Sequence, residues 1–239
     1  MKRLLKIFNL YELIFITISL LLLIGLGIYN LIFNFSVLNI FELISVILGL
    51  LAATLNGKRK KYAFFFYSVY VTIYGIISFI SKQYGEGVLN IAINLPMYLY
   101  TIYNYYIKDK RSDKNIESSQ KDFKINKINK YMIIGTILFI PIITGLYGFI
   151  LSLLKSNYPY LNALATSLAL VSVFLATKGI LEQWYFWIFY SIILIVIWVL
   201  NYINSGSSGL LYIALNIIYV IVNTYFLIKW YIIYKKQNI

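Results

Sequence analysis

Asn90 and Asn94 stand one helical turn apart, and Asn216, Tyr219 and Asn223 follow at spacings of three and four, within stretches otherwise rich in Ile, Leu and Tyr. Residues so spaced share one face of a helix. A second set is the run Glu182-Gln183-Trp184-Tyr185-Phe186-Trp187, in which Trp184 and Trp187 are three apart and again share a face. Carboxamides offer donors and acceptors without charge, and indole faces stack planar rings and attract cationic ones. The chemistry on offer is recognition by hydrogen bonding and stacking. The chain has no Cys and no His, which excludes disulfides, metal sites built on those residues, thiol chemistry and histidine switches, so no cofactor is expected.

The elements that position these residues are membrane helices. The chain is 61% hydrophobic and 12% charged. Apolar runs near 11–33, 39–55, 63–80, 87–107, 131–154, 161–176, 184–202 and 209–231 predict eight transmembrane helices, since backbone groups in lipid must be satisfied within the segment. If the N-terminus is cytoplasmic, every Lys and Arg except Lys82 and Lys155 falls on the cytoplasmic side, so both termini are expected there. The net charge of +13 then reflects short loops, and nucleic acid is not expected as a partner; the lipid bilayer is. Residues 108–130, with eight cations and four acids, are expected to form a basic cytoplasmic linker.

The chain also repeats itself. Gly87, Leu89, Ile91, Ala92 and Asn94 recur as Gly209, Leu211, Ile213, Ala214 and Asn216, at a constant offset of 122. Three predicted helices follow in each copy, and a connecting helix between them makes the copies parallel repeats. The expected fold is an all-α integral membrane protein: an extra N-terminal helix (1–38), a first three-helix bundle (39–107), the linker (108–130), a connecting helix (131–155), and a second bundle with the tail (156–239). A duplicated membrane protein makes a solute transporter the first expectation. Every acid can be placed in a loop or near a helix start, with Glu86 in an outer loop and Glu12, Glu42 and Glu182 at helix starts. This pattern disfavours ion coupling and favours a site of neutral groups. A membrane enzyme or scaffold is the alternative from another class; an enzyme lacks an obvious nucleophile or base here.

Glu182-x-Trp184-x-x-Trp187 resembles the signature of the PnuC family of nicotinamide riboside transporters. Glu42–Leu51, Phe64–Ile77, Leu95-Pro96-Met97 and Asn223-Thr-Tyr225 with Trp230 are similar to further segments of that family. The resemblance implies a SWEET-like arrangement of three, one and three helices, assembly as a homotrimer, and a bacterial inner membrane location. It also implies import of nicotinamide riboside by facilitated diffusion, with trapping by cytoplasmic phosphorylation. The chain departs from the family at Tyr70 and Ser191, where some members carry Asn, and at Tyr98, where Asn or Gln often follows Leu-Pro-Met. Related members move thiamine or deoxynucleosides, which stand as alternative solutes. The expected substrate-contacting residues are Gln183, Trp184, Trp187, Ser191, Asn216, Tyr219, Asn223, Asn90, Asn94 and Tyr98.

Overall fold

A computed structural model describes residues 8–58, 62–103, 125–205 and 209–237. Its helices are α1 (Leu10–Phe33), α2 (Val37–Gly57), α3 (Ala63–Ile80), α4 (Tyr84–Val88), a π-helical segment (Leu89–Asn94), α5 (Leu95–Tyr103), α6 (Lys130–Leu153), α7 (Pro159–Thr177), α8 (Gln183–Ser205) and α9 (Leu210–Gln237). Seven of them, namely α1, α2, α3, α6, α7, α8 and α9, are long and apolar enough to cross a membrane. The eighth expected span is the run 84–103, broken into three segments by its π turn. Residues 104–107 of that expected span, and most of the basic linker, lie outside the described residues.

The helix starts are written in the sequence. Asn9 accepts from the Glu12 N–H at 2.9 Å while Glu12 Oε2 accepts from the Asn9 N–H, a reciprocal cap on α1. Ser36 caps α2 and Asn129 caps α6 through their side chains. Pro159 opens α7, where its missing N–H costs nothing. Pro96 sits one residue into α5, directly after the π turn. A proline leaves the carbonyl four residues back without its donor and crowds it. The widened turn ahead of Pro96 accommodates this, with the Leu95 N–H bonding the Asn90 carbonyl.

α2 and α7 begin 122 residues apart, at Val37 and Pro159, matching the period of the sequence repeat. The packing order also recurs. α3 lies between α2 and the 84–103 run, and α8 lies between α7 and α9. The last member of each set leans on the first of the other: α9 on α2, and α4 on α7. α1 packs on α2 and α9, and α6 on α7; both leave most of their apolar surface open, as lipid-facing helices do.

At one end of the molecule, the α1 carboxylate of Glu12 forms ion pairs with Lys58, just past α2, and with Lys229 of α9, and it also accepts from Tyr225 Oη at 2.6 Å. At the opposite end, two turns are stitched together. The Asn157 N–H and Ser156 Oγ both donate to the Lys82 carbonyl at 2.9 Å, and Asn157 Nδ2 donates to the Ser81 carbonyl at 3.1 Å.

The core between the two sets is aromatic. Trp198 of α8 is fully buried between Tyr74 of α3 and Tyr212 of α9, and its Nε1 donates to Tyr74 Oη at 3.1 Å. Gly209 enters α9 at φ +105°, and a Cβ there would meet the Trp198 ring at 2.6 Å. We expect Gly209→Ala to cost about 1–3 kcal/mol from backbone strain alone. A lower melting temperature of the detergent-purified protein reads this out; unchanged melting contradicts it.

Candidate functional site

The same side chains that make a membrane helix expensive are gathered between the two helix sets. The Asn90 side-chain amide donates to the Glu86 carbonyl at 2.9 Å, and Asn94 Nδ2 donates to Asn90 Oδ1 at 3.1 Å. Both asparagines are buried, and both lie in the π turn. Such turns widen the helix and present side chains at angles an α-helix cannot. From the other set, Tyr190 Oη of α8 donates to Glu86 Oε2 at 2.9 Å. Its ring lies edge-on to Trp187, with centroids 5.7 Å apart. Trp187, Tyr190, Glu86, Asn90 and Asn94 thus form one continuous polar and aromatic path across the seam.

Glu86 is the principal departure from the sequence reading. It was expected in an outer loop, yet it lies in α4 and is fully buried. Glu42, expected near a helix start, is also fully buried, in the second turn of α2, with its carboxylate beside the Gly209 backbone N–H. The expectation of a site made only of neutral groups is therefore corrected. Hydropathy places a lone acid at the edge of a span; burial by tyrosines arriving from other helices has no local signature.

Towards the end that carries Glu12, a tyrosine cluster continues the path. Tyr98 of α5 stacks on Tyr67 of α3 at 5.0 Å, and Tyr219 of α9 lies beside Tyr70 of α3 where α2 comes close at Gly49. The Tyr219 hydroxyl is buried and faces that of Tyr70. Tyr67 and Tyr70 were not among the expected contacts; tyrosine is common throughout this chain, so neither position stands out. Asn223 Nδ2 reaches Ser191 Oγ at 3.5 Å, and Ser191 bonds back to the Trp187 carbonyl at 2.9 Å, so these three sit together.

The remaining expected residues are placed differently. Trp184 is buried between Phe226, stacked at 5.4 Å, and Trp230, edge-on at 5.4 Å. It closes the column at the Glu12 end by packing on α9. Gln183 is buried at the start of α8. Asn216 donates to the carbonyl of Tyr212 in its own helix at 2.8 Å, while its Oδ1 is buried and unpartnered. Glu182 accepts from the Ile128 N–H at 3.0 Å, which ties the chain entering α6 to the start of α8.

The column therefore has aromatic closures at both ends, Trp184–Phe226 at one and Trp198–Tyr74–Tyr212 at the other. Between them lies a lining of carboxamides, tyrosyl hydroxyls, one indole and one carboxylate. Trp187 and Trp198 are eleven residues apart on α8, about 16 Å along its axis.

Known proteins share this fold. A crystal structure of the vitamin B3 transporter PnuC superposes with a TM-score of 0.71 at 22% identity, covering 93% of this chain and 92% of that one. A nicotinamide riboside transporter PnuC from Neisseria mucosa is 23% identical over 217 residues, 91% of this chain and 81% of the relative. The profile of the nicotinamide mononucleotide transporter family matches residues 39–232, which takes in both helix sets and every residue of the column. By that match the chain belongs to the nicotinamide mononucleotide transporter family, and it is a multi-pass membrane protein.

Proposed function

We propose that this protein imports nicotinamide riboside across a bacterial inner membrane by facilitated diffusion, with phosphorylation in the cytoplasm trapping the solute. The observation that carries this reading is the path from Trp187 and Tyr190 on α8 to Glu86, Asn90 and Asn94 on the 84–103 run. It draws on both helix sets, as expected of a site that opens to alternate sides when the sets move against each other. The pyridinium ring is planar and cationic, which suits stacking on Trp187. The carboxamide and ribose hydroxyls match Asn90, Asn94, Asn223, Ser191 and the tyrosyl hydroxyls. Asn216, through its unpartnered Oδ1, and Tyr219 and Tyr98 complete the set of proposed contacts.

The architecture behind this reading is two parallel bundles, 39–107 and 156–239, joined by the connecting helix 131–155, with residues 1–38 as an added helix. Both termini lie in the cytoplasm, and three copies assemble as a homotrimer. The protein catalyses no reaction, and no cofactor takes part.

A thermal-shift screen of detergent-purified protein against nicotinamide riboside, thiamine, riboflavin and nucleosides tests the reading. A ligand at about 100 times its Kd stabilises the folded state by about 2.7 kcal/mol, which is readily visible in a melt. Nicotinamide riboside is expected to give the largest shift. A shift with thiamine or a deoxynucleoside, and none with nicotinamide riboside, would transfer the assignment to that solute.

A further inference from the structure

Glu86 is a carboxylate enclosed by neutral groups. Tyr190 Oη and Asn90 Nδ2 meet its Oε2, at 2.9 and 3.5 Å, and the hydroxyls of Tyr74, Tyr70 and Tyr147 lie around it. Its Oε1 is buried and meets no partner at hydrogen-bonding geometry. The ion pairs among the described residues both use Glu12, and none reaches Glu86. A buried acid without a cation is costly, and within a membrane it marks a functional position. What Glu86 lacks is a positive charge, and the tyrosine that holds it, Tyr190, is the one whose ring meets Trp187.

We propose that Glu86 is the charge-discriminating residue of this site, setting a preference for a cationic planar ring over a neutral ring of the same shape. This rests on the function proposed above and adds to it a source of specificity that stacking alone does not supply. An indole face binds either ring and favours the cationic one modestly; a fixed negative charge widens the separation, because a charge-assisted contact in a dry site is worth more than a neutral one. Glu42 does not share the role. It lies beyond the Tyr74–Trp198–Tyr212 closure, next to Tyr212 and the Gly209 backbone.

Two probes with the same amide and ribose decide this: nicotinamide riboside, whose ring is cationic, and its dihydro form, whose reduced ring is neutral. Calorimetric affinities are measured for both solutes on wild type, Glu86→Gln and Glu42→Gln. Wild type is expected to favour the cationic ring by about 10- to 100-fold. Glu86→Gln lowers the cationic ring's affinity more than the neutral ring's and so removes most of that ratio, and Glu42→Gln leaves the ratio unchanged. Equal affinities on wild type overturn the proposal without any variant, which keeps the test decisive if Glu86→Gln does not fold. An unchanged ratio in Glu86→Gln, or an equal loss in Glu42→Gln, overturns it too. Wild type that binds neither solute refutes the proposed function itself, a result distinct from binding both alike.

Discussion

Replacing Trp198 with Ala is expected to destabilise the protein by about 2–4 kcal/mol, the largest effect of any single truncation considered. The indole is fully buried, its ring lies 4.7 Å from Tyr212, and its N–H donates to Tyr74 Oη. In lipid there is no gain from removing apolar surface from water, so the loss comes from the emptied volume and from the Tyr74 hydroxyl stripped of its donor. The two causes can be separated. Trp198→Phe keeps most of the ring but not the donor, and it should cost about 1 kcal/mol. Melting of the purified variants in detergent checks both. If Phe proves as damaging as Ala, the bond to Tyr74 is the dominant contribution; if neither variant melts lower, the aromatic closure does not hold the two helix sets together.

Truncating Trp187 to Ala is expected to have the opposite profile. Its ring is only half-buried and meets Tyr190 edge-on, leaving a face for a ligand. Losing a base–aromatic stack costs about 1–3 kcal/mol, or roughly 5- to 150-fold in affinity. The melting temperature without ligand should fall far less than for Trp198→Ala. Calorimetric titration with nicotinamide riboside is the measurement, and unchanged affinity removes Trp187 from the site. Trp184→Ala serves as the comparison. Packed on Phe226 and Trp230, it should lower stability more than affinity. The two tryptophans of one motif thus divide between holding the fold and meeting the solute.

Much of the architecture was legible in the chain. Apolar runs marked seven of the spans. The offset of 122 anticipated the matching starts of α2 and α7. The π turn was not legible. Whether a helix kinks, breaks or widens before a proline such as Pro96 depends on what packs against it. Glu86 and Glu42 were misplaced for a related reason. Each sits within about a turn and a half of a helix start, where an acid ordinarily faces water. Only the arrival of Tyr190 from α8, and of Tyr212 from α9, buries them. Asn90 and Asn94 stand out in the sequence because a polar stripe in an apolar helix does so by itself, and the structure buries both. Tyr67 and Tyr70 do not stand out because tyrosine is common throughout this chain, so its presence in any one helix carries little information.

The fastenings at the two ends of the molecule differ in kind. One carboxylate, Glu12, clips α2 to α9 through two ammonium groups, whereas Ser156 and Asn157 grip the Ser81 and Lys82 carbonyls with uncharged donors. Dissolved electrolyte weakens the former, chiefly at the more exposed Lys229, and scarcely touches the latter. Ionic strength therefore acts as a one-sided lever, loosening a single mouth of the column while the other stays tied.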